Sequence, residues 1–237
     1  MLSIFVFLAV FAFVTPYRGD SNNVEEYVDK VLSEYLPGYV KKANLDINEL
    51  QDFYFNVQNT LSESEAFDGT VTFHLGNLTG LNAVHRRFCQ RVLRSPGSLK
   101  IVCNVVLPRV GVTYRGRYEA ITGFTNSNRD RVLQQRNFYS EILLNDVEAQ
   151  IELTKLNDNE QLSVTNLLLL GEGEVTKVFQ YNDATQNRLS NRFYVPYHEI
   201  SGPFYQKCAN LLQQVFYGSY RRVLEEVFST IEYPERY

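Results

Sequence analysis

The sequence is poor in the residues that most often carry catalysis or bind metals. Its 237 residues include three histidines, one methionine and no tryptophan. None of His74, His85 and His198 stands in an H-E-x-x-H or H-x-x-x-H arrangement, the spacing that places two imidazoles together around zinc. The G-x-S-x-G motif of a nucleophilic serine is also absent. We therefore expect no enzyme, no metal site and no cofactor.

Long apolar runs are missing after the N-terminus. Ile4 to Val14 is an unbroken apolar run of eleven residues, too short for the roughly 20 residues that cross a bilayer but sufficient for the core of a signal peptide. We expect a signal peptide over about residues 1–19 and a secreted, extracellular protein. Because the sequence has no linker, repeat or low-complexity tract, residues 20–237 are predicted to form one domain.

The cysteine count is odd, at three. Cys89 and Cys103 flank a turn-like segment, Arg94 to Ser98, so a disulfide between them across a hairpin is predicted, and secretion permits it. Cys208 is interpreted as a buried free thiol that packs as a small hydrophobic side chain. Asn77 begins the sequon Asn-Leu-Thr at a predicted turn, and we expect it to be glycosylated.

A long amphipathic helix is predicted at the C-terminus. Between Pro203 and Ile231 apolar side chains recur at steps of three and four residues. Pro203 fits the first helical turn, and Pro234 ends the pattern. At about 1.5 Å per residue this helix is roughly 43 Å long. Its second half carries charges such as Arg221 and Glu225, which make a bilayer crossing costly, so its apolar stripe needs another covering.

Upstream, a first helix is predicted from about Asn23 to Leu36, ended by Pro37-Gly38, and then a helical or loop stretch to Glu65. From there the apolar period changes to two. The runs that read as strands are Phe67–Leu75, Leu99–Asn104, Val110–Ile121, Phe138–Leu144, Val147–Leu153, Leu162–Leu170 and Val175–Tyr181. Gly171-Glu172-Gly173 is interpreted as a hairpin turn. The fold class is thus α+β, an antiparallel meander curved around the terminal helix.

Three segments resemble one arthropod family. Phe67 to Leu75, followed by Gly76 to Arg86, resembles the strand and G-L-x-x-[LIV]-x-R segment of the family that includes group 7 mite allergens, and Leu107 to Tyr118 resembles its next strand. That family is similar to juvenile-hormone-binding and takeout proteins and to one half of bactericidal/permeability-increasing protein. The resemblance implies a lipid or other apolar ligand between sheet and helix. The Cys89–Cys103 pair departs from the mite allergens.

The first functional interpretation is a secreted carrier or sensor of a lipid or other apolar ligand. Such a pocket is mostly hydrophobic, with few polar groups. On the inner sheet face and the helix, the predicted lining is Phe73, Leu75, Ile101, Val112, Tyr114, Leu211, Val215 and Phe216. Gly218, in mid-helix, either allows close packing with a strand or leaves room for ligand.

The alternative interpretation rests on charge. No acidic residue lies between Asp68 and Glu119, an interval with eight lysines and arginines in a chain of net charge −4. One reading is neutralisation by strand carboxylates, namely Glu141, Asp146, Glu148 and Glu152. The other is a basic patch for an anionic surface such as lipid headgroups or polysaccharide, with candidates Arg86, Arg87, Arg91 and Arg94. This alternative is a secreted interaction protein with a filled core, and nucleic acid is not an expected partner.

Overall fold

The computed structural model describes residues 19–58, 68–90, 93–95, 98–122, 132–156, 161–181 and 195–234. The predicted signal peptide lies outside these residues up to position 18. None of the helices in the described ranges is long and apolar enough to span a membrane.

The N-terminal helical region continues past the proline that was predicted to end it. Its segments are α1 (Gly19–Lys30), the π-helical turn π1 (Val31–Tyr35) and α2 (Leu36–Lys42). At the end of π1 the backbone N–H of Leu36 bonds to the carbonyl of Val31. Pro37 follows in the first turn of α2, where a missing N–H costs little. The prediction of a helix end at Pro37 is therefore wrong.

The described part of the chain contains nine strands, all in one antiparallel sheet. They are β1 (Ile47–Leu50), β2 (Phe53–Val57), β3 (Gly69–Thr79), β4 (His85–Cys89), β5 (Leu93–Ser95), β6 (Ser98–Thr122), β7 (Val132–Lys155), β8 (Ser163–Gly171) and β9 (Glu174–Tyr181). The stretch before Glu65, predicted as helix or loop, contains β1 and β2. These strands are too short to show a clear two-residue period, and they form because they pair along β3.

The nine described strands occupy five adjacent positions across the sheet, and each position runs antiparallel to its neighbours. We call these positions rungs. β6 and β7 pair with each other over their whole length. β3, β4 and β5 follow one another along the other side of β6, and β1 and β2 follow one another along β3. β8 and β9 lie end to end along the far side of β7 and form the edge rung. Gly171-Glu172-Gly173 is therefore a break within this rung, and its interpretation as a hairpin turn is wrong.

Irregular residues bend the sheet. Leu75 has a φ of 54° and lies at the register shift between His74 and Asn77 in β3. Asp146 has a φ of 58° and lies in β7 opposite the break in the edge rung. Such bulges bend a strand and increase its twist. The bulge also turns Leu75 outward, to 61% exposure, so the prediction that Leu75 faces the interior is wrong.

The C-terminal helix begins earlier than its apolar period predicted. It comprises α3 (Tyr197–Val215), the π-helical turn π2 (Phe216–Tyr220) and α4 (Arg221–Thr230). Tyr197, the first residue of α3, packs against Phe138 and Phe179, at ring-centroid distances of 5.5 and 5.3 Å. Pro203 is inside α3 rather than in its first turn. It lies on the exposed face, where water can hydrate the carbonyl left without an N–H partner.

The sheet curves around the buried side of this helix. Phe204 of α3 contacts rings from several rungs, including Phe73 at 4.5 Å and Phe179 at 5.6 Å. At the other end, Tyr27 of α1 packs on Phe228 at 6.2 Å and donates a hydrogen bond of 2.9 Å to the Ile231 carbonyl. The buried residues form one continuous cluster from the N-terminal helices to the end of α4.

Glycines in the sheet allow aromatic rings to lie flat across neighbouring strands. A Cβ built on Gly76 would fall 2.2 Å from the Tyr114 ring, and one on Gly116 would fall 2.3 Å from the Phe138 ring. By contrast, a Cβ on Gly218 in π2 has no neighbour within 4 Å. Close packing against a strand therefore does not explain Gly218.

We expect Gly116→Ala to lower the free energy of unfolding by about 1–3 kcal/mol, because the buried Phe138 ring must move to admit the methyl group. The matched control is Gly218→Ala, which we expect to be neutral or to stabilise by up to about 1 kcal/mol. Denaturant unfolding of both variants checks this. Equal effects of the two substitutions would contradict the packing described for Phe138.

Candidate functional site

The predicted pocket residues lie mainly in the core between helix and sheet. Those buried are Phe73, Ile101, Val112, Tyr114, Leu211 and Phe216. Val215 is partly buried and packs against this core, whereas Leu75 is on the outside. The structure brings Phe73 and Tyr114 together, with ring centroids 6.1 Å apart. Aromatic side chains fill the interior around the first half of α3.

A small cavity lies between α3 and the middle of the sheet, next to this aromatic cluster. Its volume is about 10 Å³, enough for roughly one water molecule. The walls are the apolar side chains of Val112, Ile142, Leu144, Cys208, Ala209 and Leu212, and Glu172 and Tyr205 complete the lining. We call it the helix–sheet cavity. It forms where the small side chains of Cys208 and Ala209 face Val112 and its cross-strand partner Ile142.

Most of this lining was not predicted from the sequence. Val112 was among the predicted pocket residues, but Ile142, Leu144, Ala209 and Leu212 were not. The available signal was the pair of small residues at positions 208 and 209 within an otherwise bulky apolar stripe. A small side chain on a helix face leaves room opposite the facing strand, because interiors are otherwise close-packed.

The helix–sheet cavity reaches the break in the edge rung. Glu172 lies in this break, and the hydroxyl of Tyr205 on α3 donates a hydrogen bond to its Oε2 atom. The Lys177 ammonium lies 4.3 Å from the centroid of the Tyr205 ring. Burial, with the bond to Glu172, raises the pKa of Tyr205 to about 12. The hydroxyl therefore keeps its proton at neutral pH, and this polar pair closes an otherwise apolar space.

The cysteines are arranged as predicted. Cys89 and Cys103 are cross-strand partners in β4 and β6 and form a disulfide. Cys208 is a buried free thiol, and burial raises its pKa to about 12. Because the thiolate is the reactive form of cysteine, Cys208 is unreactive while the cavity stays closed.

Two arginines of the predicted basic patch are neutralised. Arg86 donates hydrogen bonds from Nε and Nη2 to Asp29 of α1, at 2.9 and 2.8 Å, and its Nη1 lies 3.4 Å from Glu25. The bond to Asp29 holds the pKa of Arg86 above its ordinary value. Arg87 forms an ion pair with Glu148 of β7. Both cations are therefore engaged within the molecule.

The neutralisation reading is favoured over the predicted patch. Lys100 also pairs with Glu152, at 2.9 Å, as expected for charges on adjacent strands. Arg91 and the side chain of Arg94, the remaining predicted patch residues, lie outside the described residues. Arg86 and Arg87 are thus paired with carboxylates of α1 and β7, and binding of an anionic surface through them stays a prediction.

The sequon residue Asn77 is not in a turn. It lies in β3 between Glu49 of β1 and Thr113 of β6. It alternates with the buried Leu78, so its partly exposed side chain points away from the core. The turn prediction is wrong because β3 continues through its bulge to Thr79. Glycosylation of Asn77 stays a prediction.

Comparisons with known proteins find similarity of fold alone. No protein-family profile matches the chain, and no curated protein is similar to it in sequence. A crystal structure of lipopolysaccharide binding protein has a TM-score of 0.42 at 12% identity, over 87% of this chain and 39% of that chain. Takeout 1 of Epiphyas postvittana has a TM-score of 0.32 at 11% identity, over 85% of this chain and 88% of that chain.

These neighbours are of the kinds that the sequence resemblance named, and the mite-allergen resemblance itself stays a prediction. At such identities and TM-scores they do not reveal a ligand. This chain also spans only 39% of the lipopolysaccharide-binding chain.

We expect Arg86→Leu to lower the free energy of unfolding by about 1–2 kcal/mol, because it removes two charge-assisted hydrogen bonds between β4 and α1 from a guanidinium that is mostly covered. The side chain of Arg86 is 16% exposed, whereas that of Arg87 is 57% exposed. Arg87→Leu is the matched control and should change stability by less than about 0.5 kcal/mol. Similar losses in both variants would contradict a structural role specific to Arg86.

Proposed function

We propose that the protein is a secreted, non-enzymatic binding protein for a lipid or similar elongated apolar molecule. The observation that carries this proposal is the helix–sheet cavity, whose apolar walls end at a break in the edge rung. One side-chain pair, Tyr205 and Glu172, closes that end. The ligand enters there and lies between α3 and the inner face of β6 and β7.

The edge rung is suited to opening. It has a neighbouring strand on one side only, and residues 172 and 173 make no strand pair within the described sheet. Its outer side is tied to the helix by side chains, such as the Tyr217 hydroxyl, which accepts a hydrogen bond of 3.0 Å from the Leu169 N–H. Regions with few backbone bonds open at lower free energy than the core.

The energies favour an apolar ligand. Breaking the hydrogen bond between Tyr205 and the Glu172 carboxylate costs about 1.5–3 kcal/mol. Each 100 Å² of apolar ligand surface taken out of water contributes about 2.5 kcal/mol. Entry of a few methylene groups therefore offsets the loss of this bond. A small polar ligand lacks that compensation, because the walls behind Tyr205 present no hydrogen-bonding side chain other than the Cys208 thiol.

Secretion is part of the proposal. The N-terminal apolar run and the Cys89–Cys103 disulfide support it, since disulfides persist in oxidising compartments. A glycan on Asn77 would stand on the outer face of the sheet, away from the helix–sheet cavity. The binding site and the glycan would not interfere with each other.

The alternative is an interaction protein with a filled core, and the small cavity volume favours it. About 10 Å³ does not hold a lipid without movement of the edge rung. The two interpretations differ in one respect that can be measured, which is whether the cavity opens and admits an apolar molecule.

Cys208 provides the test, because it is the one cysteine outside the disulfide. We expect Tyr205→Phe to raise the rate at which a small apolar maleimide labels Cys208 by about tenfold, since the bond closing the cavity is lost. Saturating oleate should slow labelling in both proteins. Mass spectrometry of quenched samples measures the rates.

The control for this experiment is Tyr217→Phe, which removes a different hydroxyl between helix and edge rung and should change the labelling rate less than threefold. A rate that is unaffected both by Tyr205→Phe and by oleate would contradict ligand entry at this position. A rate equal to that of global unfolding would do so as well.

A further inference from the structure

We infer that the outer face of the sheet carries a second binding site, for an acidic saccharide. A cleft of about 540 Å³ lies on this face, away from the C-terminal helix. This volume is within the range of about 300–1,000 Å³ typical of small-molecule sites. The residues that carry the argument are His74, Arg115, Arg117, Asn137, Tyr139 and Gln180. We call it the outer cleft, and it does not depend on the proposed apolar site.

Sheet register brings these residues together. Arg115 in β6 is the cross-strand partner of His74 in β3 on one side and of Tyr139 in β7 on the other. Tyr139 is in turn the partner of Gln180 in β9. The next outward position of β6, Arg117, pairs with Asn137. Four adjacent strands therefore hold the side chains of the outer cleft on a rigid surface.

The arginines of the cleft are less neutralised than Arg86 and Arg87. Arg115 is exposed and has no ion pair with any carboxylate in the described ranges. The buried Nε of Arg117 lies 3.3 Å from Glu119 Oε1, an ion-pair contact without the alignment of a hydrogen bond. Such a contact pairs the charge of Arg117 but leaves the donor unsatisfied, which is costly. Among the described cleft residues, Arg115 is therefore the cation that is available to an anion.

Carboxylates limit the cleft at two ends. Glu119 lies beside Arg117, and Glu141 follows Tyr139 two residues later along β7. Burial, and secondly the charge of Glu141, raise the pKa of Tyr139. The cationic surface is therefore confined to the middle of the cleft, around Arg115. This confinement favours a compact acidic group over an extended anionic surface.

The remaining side chains match a sugar. Asn137 and Gln180 carry amides that both donate and accept hydrogen bonds, as sugar hydroxyls require. The Tyr139 ring is 38% exposed and offers a flat apolar face with a polar tip. A guanidinium binds a sulfate or carboxylate group in a fork geometry. Because the site is a cleft bounded by side chains of the sheet face, a single saccharide unit fits it better than a membrane surface does.

Titration calorimetry on the full chain tests this inference. The probes are a sulfated heparin hexasaccharide and a carboxylated hyaluronan hexasaccharide, which distinguish the two acidic groups, with neutral dextran as the uncharged control. Phosphatidylglycerol vesicles test the membrane alternative. We expect Arg115→Gln to weaken binding of the acidic saccharide by about tenfold or more. The matched control is Arg109→Gln, an exposed arginine of β6 outside the cleft, which should change affinity less than twofold.

Unchanged unfolding midpoints verify that both variants are folded, and Gln180→Ala supplies a second, uncharged change within the cleft. Loss of affinity for either acidic saccharide in Arg115→Gln and Gln180→Ala, but not in Arg109→Gln, supports the inference. Three results overturn it: no binding of either saccharide by the unaltered protein, equal losses in the Arg115 and Arg109 variants, or Arg115-dependent binding to the vesicles alone.

Discussion

The packing of the C-terminal helix along the inner face of the sheet is the interaction on which the rest of the structure depends. The helix carries a continuous apolar stripe whose exposure to water would be unfavourable. Strands β6 and β7 are long enough to cover this stripe. Phe204 anchors the first half against aromatic rings of the sheet. The second half is held between the sheet and α1, where Tyr27 meets Phe228 and the Ile231 carbonyl. The sheet has to curve to make this packing possible, because a flat sheet would touch the helix along a single line and leave the rest of the apolar stripe uncovered.

The same packing determines where the helix–sheet cavity lies, which is the entry point that we propose for a ligand. Bulges at Leu75 and Asp146 bend the rungs, and the edge rung breaks opposite Asp146. Next to this break the helix presents Cys208 and Ala209, which are too small to fill the space in front of β6 and β7. A cavity with apolar walls thus lies next to the break between β8 and β9, and Tyr205 and Glu172 close it. The outer face of the same strands carries polar and cationic side chains, so one sheet supports two chemically different surfaces.

Much of the fold could be predicted from the sequence, because it depends on local periodicity. A three- and four-residue period predicted the terminal helix. A two-residue period predicted strand structure over most of β6 and β7, but it divided each of these continuous strands into two runs. Positions that depend on distant partners were not predictable in this way. Leu75 fits the alternation of its strand, but a bulge that forms against β6 turns it outward. For Arg86 the sequence left neutralisation and a basic patch open, and the carboxylates considered were those of the strands. Its partner Asp29, 57 residues away, was missed because the two meet only after α1 packs on β4. Pro203 was predicted to lie in the first helical turn because proline lacks a backbone N–H. The helix begins six residues earlier, at Tyr197, which packs on Phe138.

We propose that the helix and the sheet share their interface with an apolar ligand. The most direct measurement is organic extraction of the protein purified from a eukaryotic secretory host, followed by quantitative mass spectrometry of the extract. We expect lipid at close to one molecule per chain, or uptake to that level when lipid-free protein is incubated with lipid. Trace lipid before and after incubation would contradict this proposal and would leave the interface filled by side chains alone.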